Sequence, residues 1–125
     1  EAIWSFQGFA FVGWDNDQQA SYLKGFVDSV PHKDRLVIMD MSYDVQYPEW
    51  AKWNQSAFFG ASFIWTTLHN FGGTDGIRGD MRKINHMPFD ALNLPKPAHP
   101  IGLGATPEGI THNPAYYAFL YEQAF

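Results

Sequence analysis

Apolar positions along the chain switch between a near-continuous pattern and a helical one. Residues 2–12 (AIWSFQGFAFV) read as a strand running into a loop, and Trp14-Asp15-Asn16-Asp17 as the turn and helix entry. From Gln18 to Val30, Tyr22, Leu23, Phe26, Val27 and Val30 recur at helical spacing, and Pro31 stops the pattern. Leu36-Val37-Ile38-Met39 is a short apolar run closed by Asp40, as expected of a strand covered on both faces. Ser42 to Ser56 carries Pro48 and many polar residues, which predicts an irregular excursion with a helical turn. Ala61 to Leu68 (ASFIWTTL) is the third strand. A helix is expected from Gly76 to Asn85, and a proline-broken loop from Pro88 to Pro100. Ile101 to Gly104 is the fourth strand. Asn113-Pro114 opens the last helix, a cap residue followed by proline at the first helical position, with Tyr116, Tyr117, Leu120 and Tyr121 as its buried stripe.

Strands separated mostly by helical segments predict an α/β chain of about four consecutive β/α units on a parallel sheet. Such units belong either to a (β/α)8 barrel or to an open doubly wound sheet, and both place ligands at the carboxyl ends of the strands. The expected strand exits carry Gln7 and Phe9, then Asp40 and Met41, then His69 and Asn70, then Glu108. Glu108 stands out. It follows an apolar, glycine-interrupted strand and sits between Pro107 and Gly109, residues that fix a turn without forming helix. The bland alternative is an ordinary loop acid.

Composition narrows the function. The 125 residues include 5 Trp, 6 Tyr and 11 Phe, more rings than a core of this size needs, and sugar-binding clefts use such rings as platforms. Most of them are still expected in the core. A net charge of -5 argues against nucleic acid as a partner. No apolar run approaches the ~18 residues of a membrane span, so no membrane partner is expected. The absence of cysteine removes disulfides, zinc-thiolate sites and cysteine nucleophiles. The chain starts at Glu1 with no leader-like segment, which reads as a cut within a larger protein whose remainder would be its partner. Asn54-Gln55-Ser56 fits a glycosylation acceptor, a pattern common by chance.

Several motifs fail. Gly102-x-Gly104 after a strand starts a dinucleotide fingerprint, but Pro107 takes the third glycine position and the helix begins only at Asn113. The glycines at 72, 73, 76 and 79 lack the Lys-Ser/Thr of a phosphate loop. The five histidines (32, 69, 86, 99 and 112) show no paired ligand spacing, and neither metal nor cofactor is implied. No nucleophile elbow is present.

Taken together, Trp4-x-x-Gln7-Gly8, Leu36-Val-Ile-Met-Asp40, Phe63-Ile-Trp65-x-x-Leu68-His69-Asn70-Phe71-Gly72-Gly73 and Gly102-x-Gly104-x-x-x-Glu108-Gly109-Ile110-x-x-Asn113 resemble, in order and spacing, the catalytic barrel of glycoside hydrolase family 89, the α-N-acetylglucosaminidases. The match runs across nearly the whole chain. It implies that residues 1–125 are the later part of a (β/α)8 catalytic barrel, in a lysosomal or secreted protein that removes terminal α-linked N-acetylglucosamine from glycans such as heparan sulfate. Glu108 falls on the family's nucleophile, and the acid/base glutamate is expected upstream of this chain. Phe9, Asp40, Met41, His69 and Asn70 are the expected substrate-binding positions. Phe9 replaces the usual Trp, Thr66-Thr67 stands where Cys and a large apolar residue are usual, Met41-Ser42 where Leu-Phe is common, and Ala105-Thr106 where at least one Met is usual. These departures would reshape the pocket floor. A non-catalytic carbohydrate-binding relative on the same barrel is the competing reading, and an upstream glutamate would discriminate against it.

Overall fold

The computed structural model describes residues 2–43, 48–53, 57–69, 79–110 and 112–124. Four strands, β1 (Trp4–Gln7), β2 (Leu36–Tyr43), β3 (Ser62–Leu68) and β4 (His99–Ala105), form one sheet in the order β1-β2-β3-β4, with every pair parallel. Sequential order without a reversal is the order of a singly wound barrel wall; a doubly wound sheet reverses at its switch point. The architecture is a partial α/β barrel.

Strand register divides the side chains between two faces, because successive residues of a strand point to opposite sides. Leu36 and Ile38 of β2, and Phe63 and Trp65 of β3, join the main core with Leu23 and Val27 of α1 (Asp17–Ser29) and Tyr116 and Leu120 of α4 (Pro114–Glu122). This is the helix-covered side. By the same alternation Val37, Met39, Met41, Ile64, Thr66, Gly102 and Gly104 occupy the other face, the side that a closed barrel encloses. Gly104 keeps that face low: a Cβ there would lie 3.4 Å from Thr66 Cγ2.

Local chemistry explains the helix starts. Asn16 accepts from the Gln19 backbone N–H while the Gln19 side chain accepts from Asn16, a complete capping box for α1. Asn113 accepts from the Ala115 N–H, and Pro114 follows it as expected. α1 and α4 therefore begin where the cap residues predict.

Elsewhere the structure departs from the sequence pattern. The first strand is short, since the chain turns at Gly8 into a 3-10 turn (Gly8–Phe11) that packs on β2; a Cβ on Gly8 would lie 2.8 Å from the Met39 carbonyl oxygen. β2 is twice the length of its apolar run and reaches Tyr43, so Asp40 and Met41 lie inside the strand, paired with Trp65 and Thr66, rather than at its exit. Ladder pairing with β3 outweighs the polar character of Asp40 as a terminator. The expected loop from Pro88 contains α3 (Met87–Leu92), because a proline in the first helical turn has no N–H to leave unpaired. It follows α2 (Met81–Ile84), which is shorter than the helix expected from Gly76 to Asn85: Gly79 has a positive φ, and Asp80 accepts from the Arg82 N–H as the N-cap, so the helix starts only at Met81. Within the helical stripes, Tyr22 (58% exposed) and Tyr121 (55% exposed) face outward, and Leu23, Val27, Tyr116 and Leu120 are buried.

Between β2 and β3 the described residues contain no α-helix. Two 3-10 turns, Glu49–Ala51 and Phe58–Gly60, replace it, and Trp53, Ala57, Phe58 and Phe59 all have positive φ. Residues 48–53 agree with the irregular excursion and helical turn expected from Ser42 to Ser56, whereas Ser42 and Tyr43 extend β2 and residues 44–47 lie outside the described residues. The acceptor pattern at 54–56 lies outside the described residues.

Candidate functional site at the strand exits

Glu108 lies three residues beyond the end of β4 and is exposed. The segment leading to it is fixed to the neighbouring strand: the Thr106 N–H donates to the Thr67 carbonyl at 3.0 Å, and Thr106 Oγ1 donates to the same oxygen at 3.3 Å. Pro107 then restricts the backbone immediately before the carboxylate. Downstream, the Asn113 cap begins α4. The carboxylate is thus carried on a short segment anchored at both ends.

Phe9 lies in the turn after β1 with 58% of its surface exposed, an aromatic face free of the core. Met41 is buried on the barrel-interior side of β2. Asp40 is fully buried, on the alternate side of that strand, and its carbonyl accepts a hydrogen bond from Thr66 Oγ1. Asn70 and the Phe71-Gly72-Gly73 stretch lie outside the described residues. Phe9, His69 and Glu108 follow three strands at the same end of the sheet, whereas Asp40 and Met41 precede that end.

His69 follows β3 and is fully buried. Its ring stacks on Tyr116 with centroids 4.1 Å apart and 16° between planes, and Tyr117 meets it edge-on at 5.5 Å. Burial among these rings holds the imidazole below its ordinary pKa of 6.5, with the charge of nearby His112 acting in the same direction. The neutral ring is favoured, able to donate from one nitrogen and accept at the other.

Two features were missed in the sequence. Tyr116 reads there as a core residue, yet its hydroxyl lies 2.9 Å from Thr67 Oγ1, and both side chains are buried. Gly79, at φ +96°, lets this ring in: a Cβ there would lie 2.3 Å from Tyr116 Cε2 and 3.1 Å from His69 Nδ1. The second is the Glu49–Lys52 pair. Glu49 is fully buried, Lys52 Nζ lies 3.1 Å from both carboxylate oxygens, and Lys52 also donates to the Trp14 carbonyl at 2.9 Å. The Gly13 N–H donates to Glu49 as well. An acid and a lysine three residues apart signal a local pair, but nothing in that spacing reveals the distant carbonyl. Among the described residues no group of three or more His, Asp or Glu is placed to hold a metal.

The family model of the alpha-N-acetylglucosaminidase (NAGLU) TIM-barrel domain matches residues 1–125. Human alpha-N-acetylglucosaminidase is 32% identical over 122 residues, which cover 98% of this chain and 16% of that protein. Three structures of a family 89 glycoside hydrolase from Clostridium perfringens superpose well. The complex with PUGNAc gives a TM-score of 0.71 at 26% identity, covering 97% of this chain. The complex with 2-acetamido-1,2-dideoxynojirmycin gives 0.74 at 27% identity, covering 98%. A third, in which two glutamates are replaced by glutamine and the substrate GlcNAc-α-1,4-galactose is bound, gives 0.69 at 26%, covering 97%. This chain spans 12% of each of those chains. With its sheet order and strand-exit carboxylate, this chain belongs to the α-N-acetylglucosaminidase TIM-barrel family, glycoside hydrolase family 89.

Proposed function

We propose that the protein containing this chain is a retaining glycosidase that removes terminal α-linked N-acetylglucosamine, with Glu108 as its nucleophile. The observation that carries the reading is the placement of Glu108: an exposed carboxylate just past a barrel strand, on a segment pinned to β3 through Thr106. Catalytic groups of barrel enzymes sit at this end of the strands.

The substrate's chemistry requires such a group. In an α-linked N-acetylglucosaminide the leaving group is axial and cis to the 2-acetamido group, so the acetamido oxygen cannot attack from behind the breaking bond. The enzyme must supply the nucleophile. Glu108 attacks C1 as the glycosidic bond breaks, while an acid roughly 5–5.5 Å away protonates the departing oxygen; water then hydrolyses the glycosyl ester with that group acting as base. The acid is supplied by the rest of the protein. Phe9 offers a ring to the sugar, Met41 shapes the pocket wall, Asn70 hydrogen-bonds the sugar or orients Glu108, and His69, fully buried against Tyr116 and Tyr117, acts by orienting rather than by touching the sugar. Asp40 acts from beneath, given its burial. Glycans carrying terminal α-N-acetylglucosamine, of the heparan sulfate type or related, are the substrate class, met in a lysosomal or secreted setting. Among the described residues no helix is long and apolar enough to cross a membrane.

The test is hydrolysis of an aryl α-N-acetylglucosaminide by the intact protein, with the first-formed anomer read by NMR. The wild type should release the α-anomer, and Glu108→Ala should lose at least about 1,000-fold in rate while remaining folded. Full activity in Glu108→Ala ends the assignment of the nucleophile. Sugar binding without turnover by the wild type would favour a carbohydrate-binding relative instead.

A further inference from the structure

Both anchors of the Glu108 segment converge on one residue, Thr67. Upstream, Thr106 donates twice to the Thr67 carbonyl, two residues before the carboxylate. Downstream, α4 begins at Asn113 and carries Tyr116, whose hydroxyl lies 2.9 Å from Thr67 Oγ1. The same phenol ring stacks on His69, two residues beyond Thr67. Thr67 is fully buried and Tyr116 is 1% exposed, so bulk water cannot replace their bond at equal cost. A glycine at 79 leaves the space that the ring fills. One phenol therefore ties the end of β3 to the start of α4 and bears on the ring of His69.

We propose that Tyr116 is a positioning residue for the reaction: through Thr67 it fixes both ends of the segment that carries Glu108, and through its ring it sets the plane of His69. The inference rests on Glu108 being the nucleophile. Losing the phenol hydroxyl leaves Thr67 Oγ1 buried without that bond and lets the end of β3 shift against α4. A carboxylate displaced from its line of attack loses rate much more than substrate affinity.

The experiment uses the intact protein and an aryl α-N-acetylglucosaminide. Tyr116→Phe, which keeps the ring stack and removes only the hydroxyl, should lower kcat by between about 10- and 100-fold with KM little changed. Thr67→Val should do the same from the other side, Thr67→Ser should retain wild-type kcat, and the double variant Tyr116→Phe/Thr67→Val should be no slower than either single one. Wild-type kcat in Tyr116→Phe, or multiplicative losses in the double variant, would overturn the inference. So would a loss confined to thermal stability. Should Tyr116→Phe fail to fold, the contrast between Thr67→Val and Thr67→Ser decides, equal kcat in the two sinking the idea. Glu108→Ala is run alongside. An active Glu108→Ala removes the underlying reading; an inactive one beside a fully active Tyr116→Phe removes only the role of Tyr116.

Discussion

His69 couples protonation to stability. Its folded-state pKa lies below the unfolded value of 6.5, chiefly because burial penalises the imidazolium. Between the two values the unfolded chain binds more protons, so stability rises with pH there. The contribution of the neutral ring is thus fully present above about pH 6.5 and is lost as pH falls below it. Replacing His69 by Phe, which keeps the stack on Tyr116 but cannot titrate, should flatten the fall in denaturation midpoint between neutral and mildly acidic pH. An unchanged pH slope in His69→Phe would show that other groups set it. That His69 follows a strand was legible from the apolar run before it. Its burial was not, because the covering rings come from residues 116 and 117, nearly fifty positions away. The placement of Glu108 just past β4 was legible because both signals, the strand before it and the proline and glycine around it, are local.

At the scale of elements, the unusual part is the crossover between β2 and β3, where, among the described residues, two 3-10 turns stand in for a helix. Such a segment satisfies few of its own backbone groups and needs tertiary anchors. Glu49 and Lys52 provide one, tying the crossover to the loop before α1 through Gly13 and Trp14. Burial pushes the Glu49 carboxyl above its ordinary range, opposed by Lys52 and the Gly13 N–H. Removing the cation strands a buried acid. Lys52→Met should therefore cost about 3 kcal/mol at neutral pH, and adding Glu49→Gln should recover part of that loss. Chemical denaturation of the three proteins checks it, and a wild-type midpoint for Lys52→Met would show that the pair contributes little. The sequence predicted an irregular segment here because proline and polar residues interrupt every period. It gave no sign of α3, where Pro88 was read as a breaker although it occupies the first helical turn.

The whole molecule is a stretch of barrel wall with two open edges. Among the described residues, the central strands are largely buried, β2 from Leu36 to Met41 and β3 from Ser62 to Leu68, whereas β1 and β4 each have a neighbour on one side only. Apolar residues lie exposed there: Ile3 at 70%, Trp4 at 50% and Ile101 at 48%. In a closed barrel both edges pair with further strands, and the interior face bearing Val37, Met39 and Ile64 is packed by side chains from across the axis. Parallel strands with unpaired N–H and C=O groups beside exposed rings are templates for association. Residues 1–125 produced alone should therefore self-associate and show no glycosidase activity, since the barrel face that completes the site is absent. Light scattering after size-exclusion chromatography reads the first expectation, and turnover of the aryl glycoside the second. A cooperatively unfolding monomer would mean that α1, α4 and the irregular crossover stabilise an open wall by themselves; the stability of the family's barrel would then reside in its separate β/α units more than in its closure.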